Sequence, residues 1–174
     1  RLHLETNYKL KGGLFKKPYR IYDRTVYGSS LPLVAEFPDL GNSDALSFVI
    51  SPGEKGTYIL KDLVWKGEKV EKTYSFTPGD TLQTAAGRIV ISTPGYQQNT
   101  PKLEGDLLVS RSSYYGAARS YSGRLNVSLS DKMATVISLT FNDVNTERAT
   151  DVLNMLINIY NENWIKDKNL ITNS

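Results

Sequence analysis

The sequence contains no cysteine and only one histidine, His3, among its 174 residues. Without cysteine the chain can form no disulfide, no thiolate metal site and no cysteine nucleophile. One histidine close to the chain start rules out a multi-histidine metal site and argues against Ser-His-Asp catalysis, which needs a well-positioned base. These two scarcities make a secreted hydrolase an unfavoured interpretation, and we expect no metal and no other cofactor.

Long apolar runs and nucleotide-binding loops are also missing. No stretch approaches the roughly 18 consecutive apolar residues of a membrane-spanning helix, and no signal-peptide pattern is present. Residues 52–57, PGEKGT, lack the spacing and the ending of a phosphate loop, and a turn between two strands explains them better. With 40% hydrophobic and 22% charged residues the composition is ordinary for a globular protein. We therefore expect a non-catalytic globular domain.

Positive charge is concentrated in two segments that also carry tyrosines. Residues 9–24 hold six lysines and arginines against one aspartate, and residues 111–124 hold three arginines and no acid, although the whole chain has a net charge of only +3. Interleaved aromatic and cationic side chains suit a glycan, a lipid surface or nucleic acid, and solvated lysines on an irregular strand are the plainer alternative for the first segment. The candidate surface residues are Lys16, Lys17, Arg20, Arg111, Tyr114, Arg119, Tyr121 and Arg124.

The middle of the chain predicts short antiparallel strands. Turn signals recur about every ten residues between residues 31 and 94, which is typical of a sandwich or a small barrel. The predicted strands are 33–37, 46–50, 57–60, 63–66, 72–76 and 88–92, with further strands at 105–110 and 125–129. Ser112 or Ser113 predicts the cap of a short helix whose exposed face would show Arg111, Arg119 and Arg124.

The last 41 residues, 134–174, predict a strand that leads into a long helix. Period-two alternation over 134–141 indicates a strand with one buried face, and Asn145 predicts the N-cap of a helix over 146–168. Val144 and Ala149 have the spacing of a hydrophobic staple. The helix contains no glycine or proline stop signal, so we expect it to be truncated.

Apolar residues of this helix form two edges. Those at steps of three and four predict a stripe packed into the core, namely Ala149, Val152, Leu153, Leu156 and Tyr160. Met155 and Ile159 form a second edge, which is either deeper core or a contact with another subunit.

The strand and helix resemble a known family in the order of their residues. Strand, cap and helix resemble the polysaccharide co-polymerase, or chain-length determinant, family, in the bacterial type joined to a cytoplasmic tyrosine autokinase. Thr146 stands where that family commonly has proline, a small departure because proline at the first helical position is only convenient. The residues that carry the resemblance are Leu139, Asp143, Asn145, Ala149, Val152, Leu153, Asn154, Leu156, Tyr160, Asn163 and Lys168.

Other parts of the chain add to the resemblance more weakly. Residues 114–125 are similar to the family's short helix and strand, and residues 31–94, which contain Gly87-Arg88-Ile89-Val90, look like the β insertion of kinase-linked members. The style of this insertion is similar to that of members from the Bacteroidetes. The resemblance implies that residues 1–174 are a single periplasmic domain fragment at the inner membrane, between two transmembrane helices outside the sequence.

The resemblance also implies partners. Such proteins form homo-oligomeric rings that control the length and export of capsular or exopolysaccharide together with an outer-membrane polysaccharide export protein. A cytoplasmic kinase domain, fused or separate, would lie outside this chain. An anionic polysaccharide or lipid headgroups would meet the basic residues, and we expect no nucleic-acid partner.

These expectations combine into one fold and two functions. The expected fold is α+β, a mostly antiparallel sheet packed by helices, with a β-sandwich-like insertion at residues 31–94 and a truncated C-terminal helix. The expected function is that of a non-catalytic co-polymerase domain, and the alternative is an extracytoplasmic carbohydrate-binding β-sandwich module.

Overall fold

The computed structural model describes residues 3–11, 24–95, 101–129 and 136–172. In these residues the chain forms twelve strands and two α-helices, and the sheets are antiparallel and do not close on themselves. The chain divides into two compact units, Arg1–Ser120 (unit 1) and Tyr121–Ser174 (unit 2). The predicted α+β class with antiparallel sheets is confirmed.

The elements follow one another with short connections. In chain order they are β1 (Thr6–Lys11), β2 (Arg24–Val26), a 3₁₀ turn (Gly28–Ser30), β3 (Val34–Glu36), β4 (Leu46–Pro52), β5 (Tyr58–Trp65), β6 (Glu68–Val70), β7 (Tyr74–Phe76), β8 (Thr81–Thr84), β9 (Gly87–Ser92), β10 (Asp106–Arg111), α1 (Tyr114–Ser122), β11 (Leu125–Leu129), β12 (Ile137–Phe141) and α2 (Thr146–Thr172).

Unit 1 contains two sheets that share one buried core. The larger sheet has the strand order β2-β1-β10-β4-β5-β6, with β7 also paired to β5, and the smaller has the order β3-β9-β8. Residues 31–94 thus share a hydrogen-bonded sheet with strands before and after them, because β4 pairs with β10 and β10 with β1. Both sheets contribute to the core, among others through Phe48, Ile50, Leu60, Leu107, Ala35, Ile89 and Ile91.

A hydrogen bond in the core joins the two sheets of unit 1. The Ala35 N–H on β3 donates to the Tyr8 hydroxyl oxygen on β1 at 2.9 Å. Both residues are buried, with exposed fractions of 7% each. A buried amide without a partner would cost free energy, so the tyrosine hydroxyl both satisfies this donor and fixes the spacing between the sheets at this point.

Two strands were predicted at residues 57–60 and 63–66, but the structure has a single strand there, β5, which contains a bulge. The register against β4 shifts between the pairs Ser47–Val64 and Val49–Lys61, so β5 has one residue more than its partner. Asp62 lies in this extra position with φ of 52°, a left-handed conformation that aspartate adopts more readily than most residues. The sequence analysis also missed β6 and β8, whose short polar segments have too few apolar residues to show alternation.

A tight contact fastens the β3–β4 connection to the start of β9. The Asp39 carboxylate accepts hydrogen bonds from the Arg88 backbone N–H at 2.8 Å and from Arg88 Nη2 at 2.6 Å. Gly87, next to it, has φ of 94°, and a Cβ atom built there would lie 2.9 Å from Asp39 Cβ. Glycine is therefore needed at position 87 both for its backbone conformation and for the close approach of Asp39.

Helix α1 begins as predicted from one of two serines. The Gly116 N–H donates to Ser113 Oγ at 3.1 Å, which identifies Ser113 as the residue that caps the first turn. Ala117 is the buried residue of the helix.

Unit 2 consists of the end of α1, the two-stranded hairpin β11–β12 and helix α2. In the hairpin Leu125 lies opposite Phe141 and Leu129 opposite Ile137. Of the strand predicted at 134–141, β12 covers 137–141, residue 136 is not in a strand, and residues 134–135 lie outside the described part. The helix predicted at 146–168 is confirmed and runs on to Thr172.

The start of α2 is capped as predicted, but the hydrophobic staple is wrong. The Arg148 N–H donates to Asn145 Oδ1 at 2.9 Å, which makes Asn145 the N-cap. Val144 is 84% exposed and so does not pack against the first turn. Asp143 instead occupies the turn, where its carboxylate accepts hydrogen bonds from Asn145 and Arg148.

Candidate interaction surface

Helix α2 is longer than the hairpin against which it packs. A helix of 27 residues is about 40 Å long, whereas strands of five residues span only about 17 Å. Ala149, Val152 and Leu153 in the first turns are half-buried. The helix therefore has more apolar length than the hairpin can cover.

The apolar residues beyond the first turns of α2 are exposed. Leu156 is 36%, Tyr160 65% and Trp164 54% exposed, and they follow Val152 at steps of four on the same side of the helix. The prediction that Leu156 and Tyr160 pack in the core is wrong, because the period identifies the apolar side but not how far its partner extends. We call Leu156, Tyr160 and Trp164 the exposed stripe.

The second apolar edge lies beside the exposed stripe. Met155 is half-buried and Ile159 is 49% exposed, and Ile157 and Ile165 are exposed as well. On this helix the predicted subunit-contact residues and the exposed stripe form one continuous apolar area around Ile159 and Tyr160.

One face of the hairpin is entirely apolar. Side chains of directly opposed residues share a face, which places six apolar residues together: Leu125, Val127, Leu129, Ile137, Leu139 and Phe141. The other face carries Asn126, Ser128, Ser138 and Thr140. Burial falls along the apolar face, from Phe141 at 9% exposed to Leu129 at 64% and Ile137 at 57%. In the hairpin, as in the helix, apolar side chains become more exposed to solvent with distance from the turn that joins the two elements.

That turn is held by a buried carboxylate. The side chain of Asp143 is fully buried and accepts hydrogen bonds from Arg148 Nε at 2.9 Å, from Arg148 Nη2 at 2.6 Å and from Arg124 Nη1 at 2.8 Å. The Asn145 backbone N–H donates to the same carboxylate at 3.0 Å. The fork of Arg148 matches the two carboxylate oxygens, so the direction in which α2 leaves the hairpin is fixed by charged bonds.

Two opposing effects set the pKa of Asp143. Burial by itself would raise the pKa of this carboxyl. The hydrogen bonds from Arg148 and the Asn145 N–H, with the charges of Arg148 and Arg124, outweigh burial and hold the pKa below its ordinary value. Asp143 is therefore a carboxylate that stabilises the turn, and its surroundings do not suit a general acid.

The residues of the predicted basic surface lie in different places. Arg119 is exposed on α1. Arg124 is tied to Asp143, and its guanidinium lies 4.5 Å from the centre of the Tyr121 ring and 5.3 Å from that of Phe141. Tyr121 is half-buried and stacks on Phe141. Arg124 and Tyr121 thus serve the packing of unit 2. Lys16, Lys17 and Arg20 lie outside the described residues.

Arg111 is not on the exposed face of a helix, as the sequence analysis expected. It is the last residue of β10 and only 5% exposed. Leu107, Val109 and Arg111 alternate on the buried side of this strand, and this period of two was the sequence signal for its burial. The guanidinium donates to the carbonyl oxygens of Asp44 and Gly41, the latter at 3.0 Å.

Arg111 and Tyr114 line a cleft in unit 1, which we call the Arg111 cleft. Its volume is about 510 Å³, within the usual range for small-molecule sites. The guanidinium of Arg111 lies 6.0 Å from the centre of the Phe37 ring and 5.7 Å from that of Tyr114. The described residues around the cleft are His3, Glu5, Ala35, Glu36, Phe37, Pro38, Leu40, Asn42, Arg111 and Tyr114.

The described residues contain no cluster of three or more His, Asp or Glu side chains that could hold a metal ion. No helix in this part of the chain is both long and apolar enough to cross a bilayer.

No protein-family model matches the sequence. A search of curated proteins likewise gave no match.

Proposed function

We propose that this chain is a non-catalytic domain of a membrane-anchored polysaccharide co-polymerase, which regulates the length and export of capsular or exopolysaccharide from the periplasmic face of the inner membrane. The observation that carries the proposal is the exposed stripe on α2, which continues the apolar side of the helix beyond the hairpin. The choice of this family rests on the order of residues around Asp143, Asn145 and α2, which resembles that of the family.

The proposed contribution is geometric. A monomer gains nothing from leaving Tyr160, Trp164 and Ile159 in water, since burying a large apolar side chain is worth about 1.5 to 3 kcal/mol. The α2 helix of a neighbouring copy, packed beside the first in the same direction, would cover these side chains with a different edge of its surface. Such a heterologous contact, repeated around an axis, produces a ring, whereas a contact between two identical patches would stop at a dimer. Each ring member would hold its flanking transmembrane helices and the export machinery in register.

The junction around Asp143 suits such a role. Because Arg148 and Arg124 both bond the buried carboxylate, α2 leaves the hairpin in one direction in every copy. A fixed exit direction is what a closed ring needs, since small angular differences would accumulate from one subunit to the next.

The remaining parts of the proposal rest on the family resemblance. They include a β-sandwich-like insertion at residues 31–94, an outer-membrane polysaccharide export protein as partner, and a tyrosine kinase domain in the parent protein or in a partner. Of the three candidate arginines in residues 111–124, Arg119 is the exposed one and would meet lipid headgroups or an anionic polysaccharide.

Cysteine cross-linking tests the proposed contact, and the absence of native cysteine makes single introduced thiols unambiguous. Ile159→Cys and Tyr160→Cys should give covalent dimers on mild oxidation in membranes that contain the parent protein. Asn158→Cys is the matched control, because Asn158 is exposed and lies about 160° around the helix from Tyr160 and about 100° from Ile159, and it should give few. Equal yields at all three positions would contradict the proposed helix contact.

The function is tested by the length of the surface polysaccharide. Tyr160→Glu and Trp164→Glu place charges in the exposed stripe, and each should change the length distribution on a gel of polysaccharide from cells that carry the variant. Asn158→Glu should leave the distribution unchanged. An unaltered distribution with both stripe variants, at equal protein level, would overturn the proposal.

A further inference from the structure

The Arg111 cleft is built by backbone hydrogen bonds that join its walls. The Ser112 N–H donates to the Glu5 carbonyl at 2.9 Å, and the Tyr114 N–H donates to the Asn42 carbonyl at 2.8 Å. Ser112 and Tyr114 follow β10, Glu5 precedes β1, and Asn42 lies in the β3–β4 connection. The cleft is therefore held open by the fold itself, which lowers the cost of ordering its walls around a ligand.

Arg111 supplies a buried cation with spare donors at this cleft. A guanidinium has five N–H groups, and among the described residues Arg111 uses two of them, on the uncharged carbonyls of Gly41 and Asp44. In the same part of the chain no carboxylate lies within 4.0 Å of it. Buried polar groups normally have their hydrogen bonds satisfied, so the remaining donors of this 5% exposed side chain point to a ligand that accepts hydrogen bonds.

Two carboxylates decide the charge of that ligand. Glu5 and Glu36 line the same cleft, so the charges of Arg111, Glu5 and Glu36 sum to −1 with His3 neutral. The side chain of Glu5 is 14% exposed and lies 3.2 Å from His3 Nδ1, and Glu36 is exposed at the rim. A carboxylate or phosphate ligand would be repelled by these two groups, whereas hydroxyl groups can donate to them.

The apolar walls complete the pattern. Phe37, Pro38, Leu40 and Tyr114 offer carbon surface beside the polar atoms of Arg111, Glu36 and Asn42. A sugar ring has this combination of properties, with C–H faces that pack on apolar side chains and a rim of hydroxyls that both donate and accept hydrogen bonds. We propose that the Arg111 cleft binds an uncharged, hydroxyl-rich sugar residue of a glycan.

This assignment differs from the expectation that Arg111 meets an anionic polysaccharide, and it does not rest on the co-polymerase proposal. A sugar site in unit 1 can exist whether or not α2 contacts a second copy. Stripe variants such as Tyr160→Glu should leave sugar binding unchanged, and cleft variants should leave cross-linking unchanged, so failure of one proposal is distinguishable from failure of the other.

Nuclear magnetic resonance titration of the ¹⁵N-labelled chain tests the site. The probes are the neutral disaccharides maltose, cellobiose and lactose, with glucuronic acid and glucosamine as charged counterparts. At least one neutral sugar should shift the amide signals of residues 35–37, 39–42 and 111–114, with a dissociation constant in the millimolar range, about 1 mM. Glucuronic acid should bind at least about tenfold more weakly, a difference of roughly 1.4 kcal/mol.

Two rim variants test the residues without endangering the fold. Glu36→Gln and Asn42→Ala change exposed side chains, and each should weaken sugar binding about tenfold. Glu54→Gln, an exposed carboxylate in the β4–β5 turn and outside the cleft, is the control and should have no effect. The proposal is overturned if no neutral probe shifts these signals at about 50 mM, if the shifts lie elsewhere, if glucuronic acid or glucosamine binds better than the neutral sugars, or if both rim variants bind like the wild type.

Discussion

The buried side chain of Asp143 accepts hydrogen bonds on both of its carboxylate oxygens from Arg148, one turn into the following helix. Arg124, from the residues just before β11, adds a third charged bond. A hairpin of two strands is marginally stable by itself, so these ion pairs add stability to that of packing.

Asp143→Asn should destabilise unit 2. The change removes the charge that compensates two arginines, one of them with a side chain only 6% exposed, and breaking a buried ion pair costs about 3 kcal/mol. The expected result is faster hydrogen exchange over the amides of α2 and β12. Asp167→Asn, at an exposed position of the same helix, is the control. If the Asp143 variant exchanges its amide hydrogens at the wild-type rate, the ion pairs of Asp143 contribute nothing to stability.

Tyr8→Phe should destabilise unit 1 by about 1 to 2 kcal/mol, because the buried Ala35 N–H loses its acceptor. Urea unfolding followed by fluorescence of Trp65, the tryptophan of unit 1, measures this loss. Tyr115→Phe removes a hydroxyl from a side chain that is 77% exposed and should leave the midpoint unchanged. Equal midpoints for the two variants would mean that the bond between the sheets is not stabilising.

Gly87→Ala should cost about 1 to 3 kcal/mol, because alanine is strained at φ of 94° and its Cβ would meet Asp39. Gly56→Ala separates the two causes, since Gly56 also has a positive φ, of 82°, but has nothing within 4 Å of a built Cβ. Thermal unfolding should show a larger loss for Gly87→Ala than for Gly56→Ala. The reverse order would contradict the close approach of Asp39.

Acid should weaken the contact between Asp39 and Arg88. Hydrogen bonds from the Arg88 side chain and backbone lower the pKa of Asp39 from 3.8 to about 2. Because the unfolded chain takes up the proton first, this carboxylate stabilises the fold above pH 3.8, and its contribution is lost as the pH falls towards 2.

The carboxyl ¹³C shift of Asp39 measures this titration directly, and its midpoint should lie near 2. Asp39→Asn should remove that part of the acid dependence of stability. A midpoint close to 3.8 would mean that the bonds to Arg88 do not persist in solution.

Local patterns predicted much of the fold. Alternation and turn residues located most strands, and Asn145 marked the start of α2, because these signals depend on neighbouring residues. Register, the bulge in β5 and the sharing of one sheet by residues before and after 31–94 depend on distant partners, which no local pattern contains.

The candidate sites were harder to predict for a related reason. Charged residues are assigned to the surface by default, so Arg111 was expected in contact with solvent, and no local pattern indicated that the Asp143 side chain is buried. Their burial depends on acceptors and donors that the fold brings together, such as the Gly41 carbonyl and Arg148. The exposed stripe shows the opposite error. Its apolar residues were predicted to be buried but are exposed, because the apolar period continues past the point where the hairpin ends.

The bulge at Asp62 has an evolutionary consequence. Leu60 and Leu63 are both fully buried although they are three residues apart, which a regular strand would not allow. The inserted residue changes the phase of the strand, so its two halves follow opposite odd-even patterns. Deleting Asp62 should harm the protein far more than replacing it, and a relative that lacks the bulge would carry its apolar residues one position out of step after this point.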